Sequence, residues 1–154
     1  MITVDQIKKL ADEKIAEIVQ KICRTPHPFV GSFYVERPFR NIGCCPGWNR
    51  IIKGFPECPY WLITANDHVF LPGDLEKFHT IISKNAMVCV AAQTGSFSSF
   101  ALSKEIVDKV GLFDENIWPI YCEDLDYFER LARANIELRA IDSLPGETRN
   151  GSWT

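Results

Sequence analysis

Hydrophobic and polar positions along the chain predict helices interleaved with strands. After a Thr3–Gln6 capping box, apolar residues recur at helical spacing to about residue 22. Residues 60–65 and 86–92 are short, nearly continuous apolar runs, which are typical of strands covered on both faces. The remaining predictions are helices over about 47–54, 72–82 and 104–110, strands over 29–36 and 136–141, and a Gly/Ser-rich loop or edge strand over 94–100. This order predicts an α/β fold in which helices flank a mostly parallel central sheet.

The stretch from Gly111 to Arg130 combines an aromatic loop with an acidic helix start. The loop carries Phe113, Trp118, Pro119 and Tyr121. The helix opens with Glu123, Asp124 and Asp126. The helical residues predicted to face a core are Leu125, Phe128, Leu131 and Ala132. The sequence therefore predicts an anchored helix whose first turn is acidic and lies beside aromatic side chains.

Two interpretations of these acids stay open on the sequence alone. Carboxylates in the first turn complement the helix dipole, and Asp126 and Arg130 have the spacing of an ordinary i,i+4 pair on an exposed face. A rigid apolar loop against an acidic helix start would equally make the wall of a binding pocket.

Composition and charge narrow the classes of function. The chain has 154 residues, which suits one domain with a core of its own. Its net charge of -3 gives no basic footprint, so nucleic acid is not an expected partner. No apolar run has membrane-spanning length, and the N-terminus does not resemble a signal peptide. The six cysteines form no CxxC pair, which argues against a zinc ribbon, and they are expected to be reduced in a cytoplasmic protein.

Three segments, in register, resemble the family 2 glycosyltransferases, which have the GT-A fold of nucleotide-diphospho-sugar transferases. Asn41-Ile-Gly43 with Gly47-Trp-Asn49 resembles the family's N-x-G followed by G-x-N. Residues 67–75 resemble the segment from the last Asp of the DxD motif into a P-G-x-L helix start. Residues 110–126 resemble the family's G-F-D-E…E-D-x-D stretch. The match covers roughly residues 38–135, within a single domain predicted over 1–154.

The resemblance implies transfer of a sugar from a nucleotide-diphosphate donor, such as a UDP- or dTDP-sugar, to a hydroxyl of a glycan or other acceptor, with inversion. It implies a Mg²⁺ or Mn²⁺ ion held by Asp67, with His68 as a possible helper. Asp124 would be the general base, and Glu123 its partner or a contact to the acceptor. The donor would be bound by Asn41, Gly43, Asn49, Asn66 and Asp67. The acceptor would meet Trp118 and Tyr121.

Two departures from the family pattern favour a second hypothesis. The first position of DxD falls on Ala65, whose methyl group cannot bind a metal ion. The nucleoside-binding strand and turn expected before residue 36 are truncated or reduced. The alternative is a non-catalytic carbohydrate- or protein-binding module on a degenerate GT-A scaffold. A sheet with one strand fewer would also expose an edge, which predicts a homodimer.

Overall fold

This computed structural model describes residues 4–26, 28, 30–32, 34–36, 38–65, 70, 72–90, 97, 99–119 and 121–141. Its contacts divide the chain into two units, Met1–Asn41 and Ile42–Thr154, and each is described by itself.

The first unit contains one long helix, α1, over Val4–Arg24. Thr25 continues its hydrogen bonding, since its N–H donates to Lys21 O at 3.1 Å and its hydroxyl donates to the same oxygen at 2.7 Å. The helix predicted from the N-terminal periodicity is therefore confirmed. The strand predicted over 29–36 is wrong for the described residues of that range, none of which is in a strand. Pro28 and Gly31 interrupt this segment, and both residues weaken strand pairing.

The second unit alternates helices and strands. In chain order its elements are α2 (Cys44–Gly54), β1 (Tyr60–Thr64), α3 (Asp74–Ile81), β2 (Ala86–Val90), β3 (Ser99–Ser103), α4 (Lys104–Val110), α5 (Glu123–Arg133) and β4 (Glu137–Ile141). The predicted α/β class is confirmed. The helix predicted from residue 47 begins earlier, at Cys44, because Pro46 lies in its first turn, where a missing N–H costs nothing.

The four described strands form one mixed sheet in the order β1-β3-β2-β4. Strand β3 runs antiparallel to both neighbours, and only β2 and β4 pair in parallel. The expectation of a mostly parallel sheet is therefore not met among these strands. The reason is visible in the chain, because residues 91–98 are fewer than the dozen or so that a parallel crossover needs.

Strand β3 lies inside the sheet, where a loop or an edge strand was expected. All five of its residues are buried. Its serines misled the prediction, but each is hydrogen-bonded: the hydroxyls of Ser99 and Thr64 lie 2.6 Å apart, and Ser103 donates to Lys84 O at 3.0 Å. Ser103 also caps α4 as predicted, accepting from the N–H of Ile106 at 3.2 Å.

Strand β1 is covered on one face, not on both as its apolar run suggested. Trp61 and Ile63 are buried, whereas Leu62 and Thr64 between them are exposed. This alternation fits the position of β1 at the edge of the four described strands. Strand β2 is buried from Ala86 to Cys89, as predicted.

Aromatic rings dominate the core between the sheet and helices α2 and α5. Phe113 stacks on Tyr127 with ring centroids 4.1 Å apart and meets the Trp48 ring edge-on at 4.9 Å. Other members of this cluster are Phe97, Phe100 and Phe128. The core thus joins α2, β3, the loop before α5, and α5 itself.

Helix α5 turns part of the predicted face to the core, since Leu131 is buried and Phe128 packs against the core, but Leu125 and Ala132 do not join them. Tyr127 and Leu131 are buried, one turn apart, whereas Leu125 is 65% exposed and Ala132 is exposed. Leu125 precedes Tyr127 by two residues, which places it roughly 200° away around the helix. The sequence prediction is therefore confirmed for Phe128 and Leu131 and wrong for Leu125 and Ala132, and it missed the buried Tyr127.

This orientation of α5 predicts that two leucine-to-alanine substitutions lower the free energy of unfolding by different amounts. We expect Leu131→Ala to lower the free energy of unfolding by about 2–5 kcal/mol, because it leaves a cavity in the aromatic core. Leu125→Ala, on the same helix, should change it by no more than about 0.5 kcal/mol. Urea unfolding followed by circular dichroism measures both. Equal losses would contradict the orientation of α5.

Candidate functional site

The first turn of α5 follows a loop with two exposed aromatic side chains. Trp118 is 63% exposed and Tyr121 is 77% exposed. The Trp118–Pro119 peptide bond is cis, and Tyr121 and Cys122 both have positive φ angles, of 77° and 72°. Helix α5 then opens with Glu123 and Asp124, which are both partly buried.

The start of α2 lies against this loop. Cys44 N–H donates to Pro119 O at 3.2 Å. Gly43 has φ 83° and ψ 175°, and a Cβ atom there would lie 2.8 Å from Pro119 O and 3.0 Å from Trp118 Cδ1. Only glycine tolerates both this conformation and this approach. Two of the three segments singled out in the sequence, represented by Gly43 and Trp118, are therefore adjacent.

Most carboxylates around this loop have partners. Asp114 accepts from both the backbone and side-chain N–H groups of Asn116, at 2.9 and 2.8 Å. Glu115 accepts from Lys53 at 3.2 Å, and Asp126 from Arg130 at 2.6 Å. The pKa values of Asp114 and Glu115 are lowered chiefly by the hydrogen bonds they accept. These acids thus have structural roles.

Glu123 and Asp124 differ from the acids around them. Neither has a cationic partner among the residues that the structure describes. Asp124 Oδ1 accepts from the N–H of Leu125 at 2.8 Å. Glu123 Oε2 is buried and accepts no hydrogen bond from any described residue. The first turn of α5 therefore presents two carboxylates for which the described part of the chain supplies no counter-charge.

The negative charge of Glu123 acts on the two thiols at the start of α2. The pKa values of Cys44 and Cys45 are raised by burial first and by the negative charge of Glu123 second, that of Cys45 to about 11. Both thiols are therefore protonated at neutral pH and are poor nucleophiles. The six cysteines are free in the structure, and Cys89 is buried in β2.

The remaining candidate donor and metal residues are Asn41, Asn49, Asn66, Asp67 and His68. Asn41 is exposed and belongs to the first unit. Asn66, Asp67 and His68 lie outside the described residues. Asn49 is 1% exposed, and its side-chain amide is bonded to Phe113 and Glu115. A direct contact from Asn49 to a donor would have to break these bonds.

Sequence reasoning missed the groups that hold the loop to α5. Arg130 pairs with Asp126 as its spacing predicts, but both side chains are partly buried and do not lie on a fully exposed face. Arg130 also donates to Val110 O at 3.2 Å and Leu112 O at 2.8 Å, and its guanidinium lies 4.6 Å from the Tyr127 ring centre. The i,i+4 spacing of Asp126 and Arg130 predicts their ion pair. It gives no sign that Arg130 also binds the carbonyl groups of Val110 and Leu112, which lie 20 and 18 residues away.

In the part of the chain that the structure describes, no three His, Cys, Asp or Glu side chains form a group that could hold a metal ion. The described helices also include none that is both long and apolar enough to cross a membrane. No protein-family model, curated protein or solved structure matches the chain significantly.

Gly43 lies against the Trp118–Pro119 peptide, whereas Gly47 has open space around it. Alanine substitutions at these two glycines should therefore change the free energy of unfolding in opposite directions. Gly43→Ala should lower the free energy of unfolding by about 1–3 kcal/mol, because only glycine adopts its backbone conformation without strain. Gly47→Ala adds a Cβ atom with nothing within 4 Å, inside a helix, and should raise it by about 0.5–1 kcal/mol. Denaturant titrations of the two variants make the comparison. A neutral Gly43→Ala would contradict the close approach.

The buried phenol of Tyr127 predicts a loss of stability at alkaline pH. Burial raises the pKa of Tyr127 to about 12, although nearby Arg130 partly opposes this, and its hydroxyl donates to Gly111 O at 3.0 Å. The folded state therefore keeps the proton above the ordinary pKa of about 10, so the stabilisation is complete below pH 10 and is lost as the pH rises through 12. The free energy of unfolding should fall more steeply with pH in this window for the wild type than for Tyr127→Phe. If the free energy of unfolding fell equally with pH in the wild type and in Tyr127→Phe, the hydroxyl of Tyr127 would not be buried.

Proposed function

We propose that the chain is a metal-assisted, inverting glycosyltransferase of GT-A type, with Asp124 as general base. The single observation that carries the proposal is the pair of carboxylates, Glu123 and Asp124, that lack a cation among the described residues while neighbouring acids are paired. They directly follow a loop that carries the exposed rings of Trp118 and Tyr121. A base needs a carboxylate that the fold has not already neutralised, and a sugar acceptor packs well on an amphipathic aromatic ring.

The proposed reaction uses Asp124 in one proton transfer. The acceptor hydroxyl oxygen attacks the anomeric carbon of the donor sugar and its proton passes to Asp124. The bond from that carbon to the diphosphate oxygen breaks, and its electron pair leaves with the diphosphate. The bond that Asp124 Oδ1 accepts from Leu125 N–H fixes the orientation of the carboxylate, and Oδ2 has no described partner. Glu123 would contact the acceptor or orient its hydroxyl.

The donor side of the proposal rests on the resemblance. The nucleotide-diphosphate sugar would lie by the turn at Gly43, which adjoins Trp118. Asp67, with His68, would hold a Mg²⁺ or Mn²⁺ ion, which neutralises charge on the leaving diphosphate when bound. No step of the mechanism above is routed through these two residues, since they lie outside the described part of the chain.

A second candidate is a non-catalytic carbohydrate- or protein-binding module. The observation that favours it is Ala65, which directly follows β1 and takes the place of the first carboxylate of the DxD pattern. Such a module would use the same exposed rings, Trp118 and Tyr121, without chemistry at Asp124.

The proposal predicts that Asp124→Asn abolishes most transfer. We expect kcat to fall by about 10²–10⁴-fold, because the amide cannot accept the proton. Donor consumption with Mn²⁺, and with a panel of glycan acceptors, measures it. Asp108→Asn is the matched control, since that carboxylate makes an exposed i,i+4 pair with Lys104 on α4 and should leave kcat unchanged.

Equal turnover by the wild type and Asp124→Asn would remove Asp124 from the mechanism. Thermal shift distinguishes the second candidate. A nucleotide diphosphate with Mn²⁺ at about 100 times its dissociation constant should stabilise an enzyme by about 2.7 kcal/mol. Stabilisation by glycans or a protein partner alone, with no transfer, would favour the binding module.

A further inference from the structure

The side chain of Asn49 is fully used in binding the loop before α5. Its Nδ2 donates to Phe113 O at 2.9 Å and to Glu115 Oε1 at 2.9 Å, and its Oδ1 accepts from Phe113 N–H at 3.0 Å. The two bonds to Phe113 imitate the pairing of one strand residue with another. Because both hydrogens of the amide and one lone pair of its oxygen are engaged at 1% exposure, Asn49 joins α2 to the loop.

Helix α2 touches the same loop a second time near the loop's other end. Cys44 N–H donates to Pro119 O at 3.2 Å, and the backbone of Gly43 lies against the Trp118 ring. The first turn of α2 and Asn49, in its second turn, therefore hold two separate points of one loop. A shift of either contact changes the path of the backbone into α5.

Helix α5 holds the loop from the opposite side. Tyr127 donates to Gly111 O at 3.0 Å, and Arg130 donates to Val110 O and Leu112 O. The loop is thus bonded to α5 through residues 110–112 and to α2 through residues 113–119. Because the loop is bonded to both helices, it sets the position of Asp124 relative to the turn at Gly43.

We infer that Asn49 is a positioning residue for the proposed transfer, on which this inference rests. It holds the Gly43 turn, on the proposed donor side, at a fixed distance from Asp124 on the acceptor side. It acts through the backbone of Phe113 and touches neither substrate. A displacement of about 1 Å in such an arrangement can cost about 10²-fold in rate.

The test compares kcat with the KM for donor in the full chain. Asn49→Asp keeps the acceptor for Phe113 N–H but loses both donated bonds and places a carboxylate against Glu115. We expect kcat to fall by at least about tenfold while the donor KM stays within about twofold, because binding groups remain but their geometry relative to Asp124 is lost. Adding Glu115→Gln supplies a donor for the new carboxylate and should recover part of kcat.

Lys53→Ala is the matched control. It removes the exposed partner of Glu115, at 3.2 Å, and leaves the bonds of Asn49 in place. Its kcat should match that of the wild type. Should Asn49→Asp fail to fold, Glu115→Ala removes the hydrogen bond between Asn49 and Glu115 at its more exposed end. We then expect a smaller fall in kcat and an unchanged donor KM.

Three results would overturn the inference. A raised donor KM at unchanged kcat would mean that Asn49 contacts the donor itself. A lower melting temperature at unchanged kcat and KM would leave Asn49 a role in the fold alone. Absence of transfer by the wild type would refute the proposed function and this inference together, and it is recognised without any variant.

Discussion

The structure depends on how the loop before α5 is bonded between two helices. Phe113 is the centre of this arrangement, because its ring stacks on Tyr127 while its N–H and C=O are both bonded to Asn49. A buried backbone polar group without a partner costs about 1–3 kcal/mol, so the bonds to Asn49 are what allow this backbone to enter the core at all. Packing and hydrogen bonding therefore fix the same residue from two directions.

The local parts of this fold could be predicted from the sequence. Periodicity gave α1 and α5, and apolar runs gave β1 and β2, since these signals depend on neighbours a few residues away. The place of β3 could not be predicted in the same way. Its serines look like a loop until Ser99 meets Thr64 across the sheet, and that contact depends on a strand far earlier in the chain.

The same limit applies to the candidate site. The sequence grouped Gly43, Trp118 and the acids of α5 by resemblance, and the structure brings Gly43 and Trp118 into contact. The sequence did not reveal that the side chain of Asn49 is buried, because its hydrogen-bond partner Phe113 lies 64 residues away. Long-range hydrogen bonds of single side chains leave no periodic trace, whereas an amphipathic helix does.

The pairing of charges distinguishes acids that the sequence treats alike. Asp126 pairs with Arg130, and Glu115 with Lys53, so the fold itself accounts for them. Glu123 and Asp124 are adjacent, partly buried like charges, which disfavour the folded state unless something offsets them, and the helix dipole offsets only part of this cost. Proteins retain such costs chiefly at sites where activity needs them. The lack of a cationic partner for this pair among the described residues is thus an argument for a ligand at this helix start. Under the proposed function, a proton received from the acceptor hydroxyl would neutralise one of the two charges.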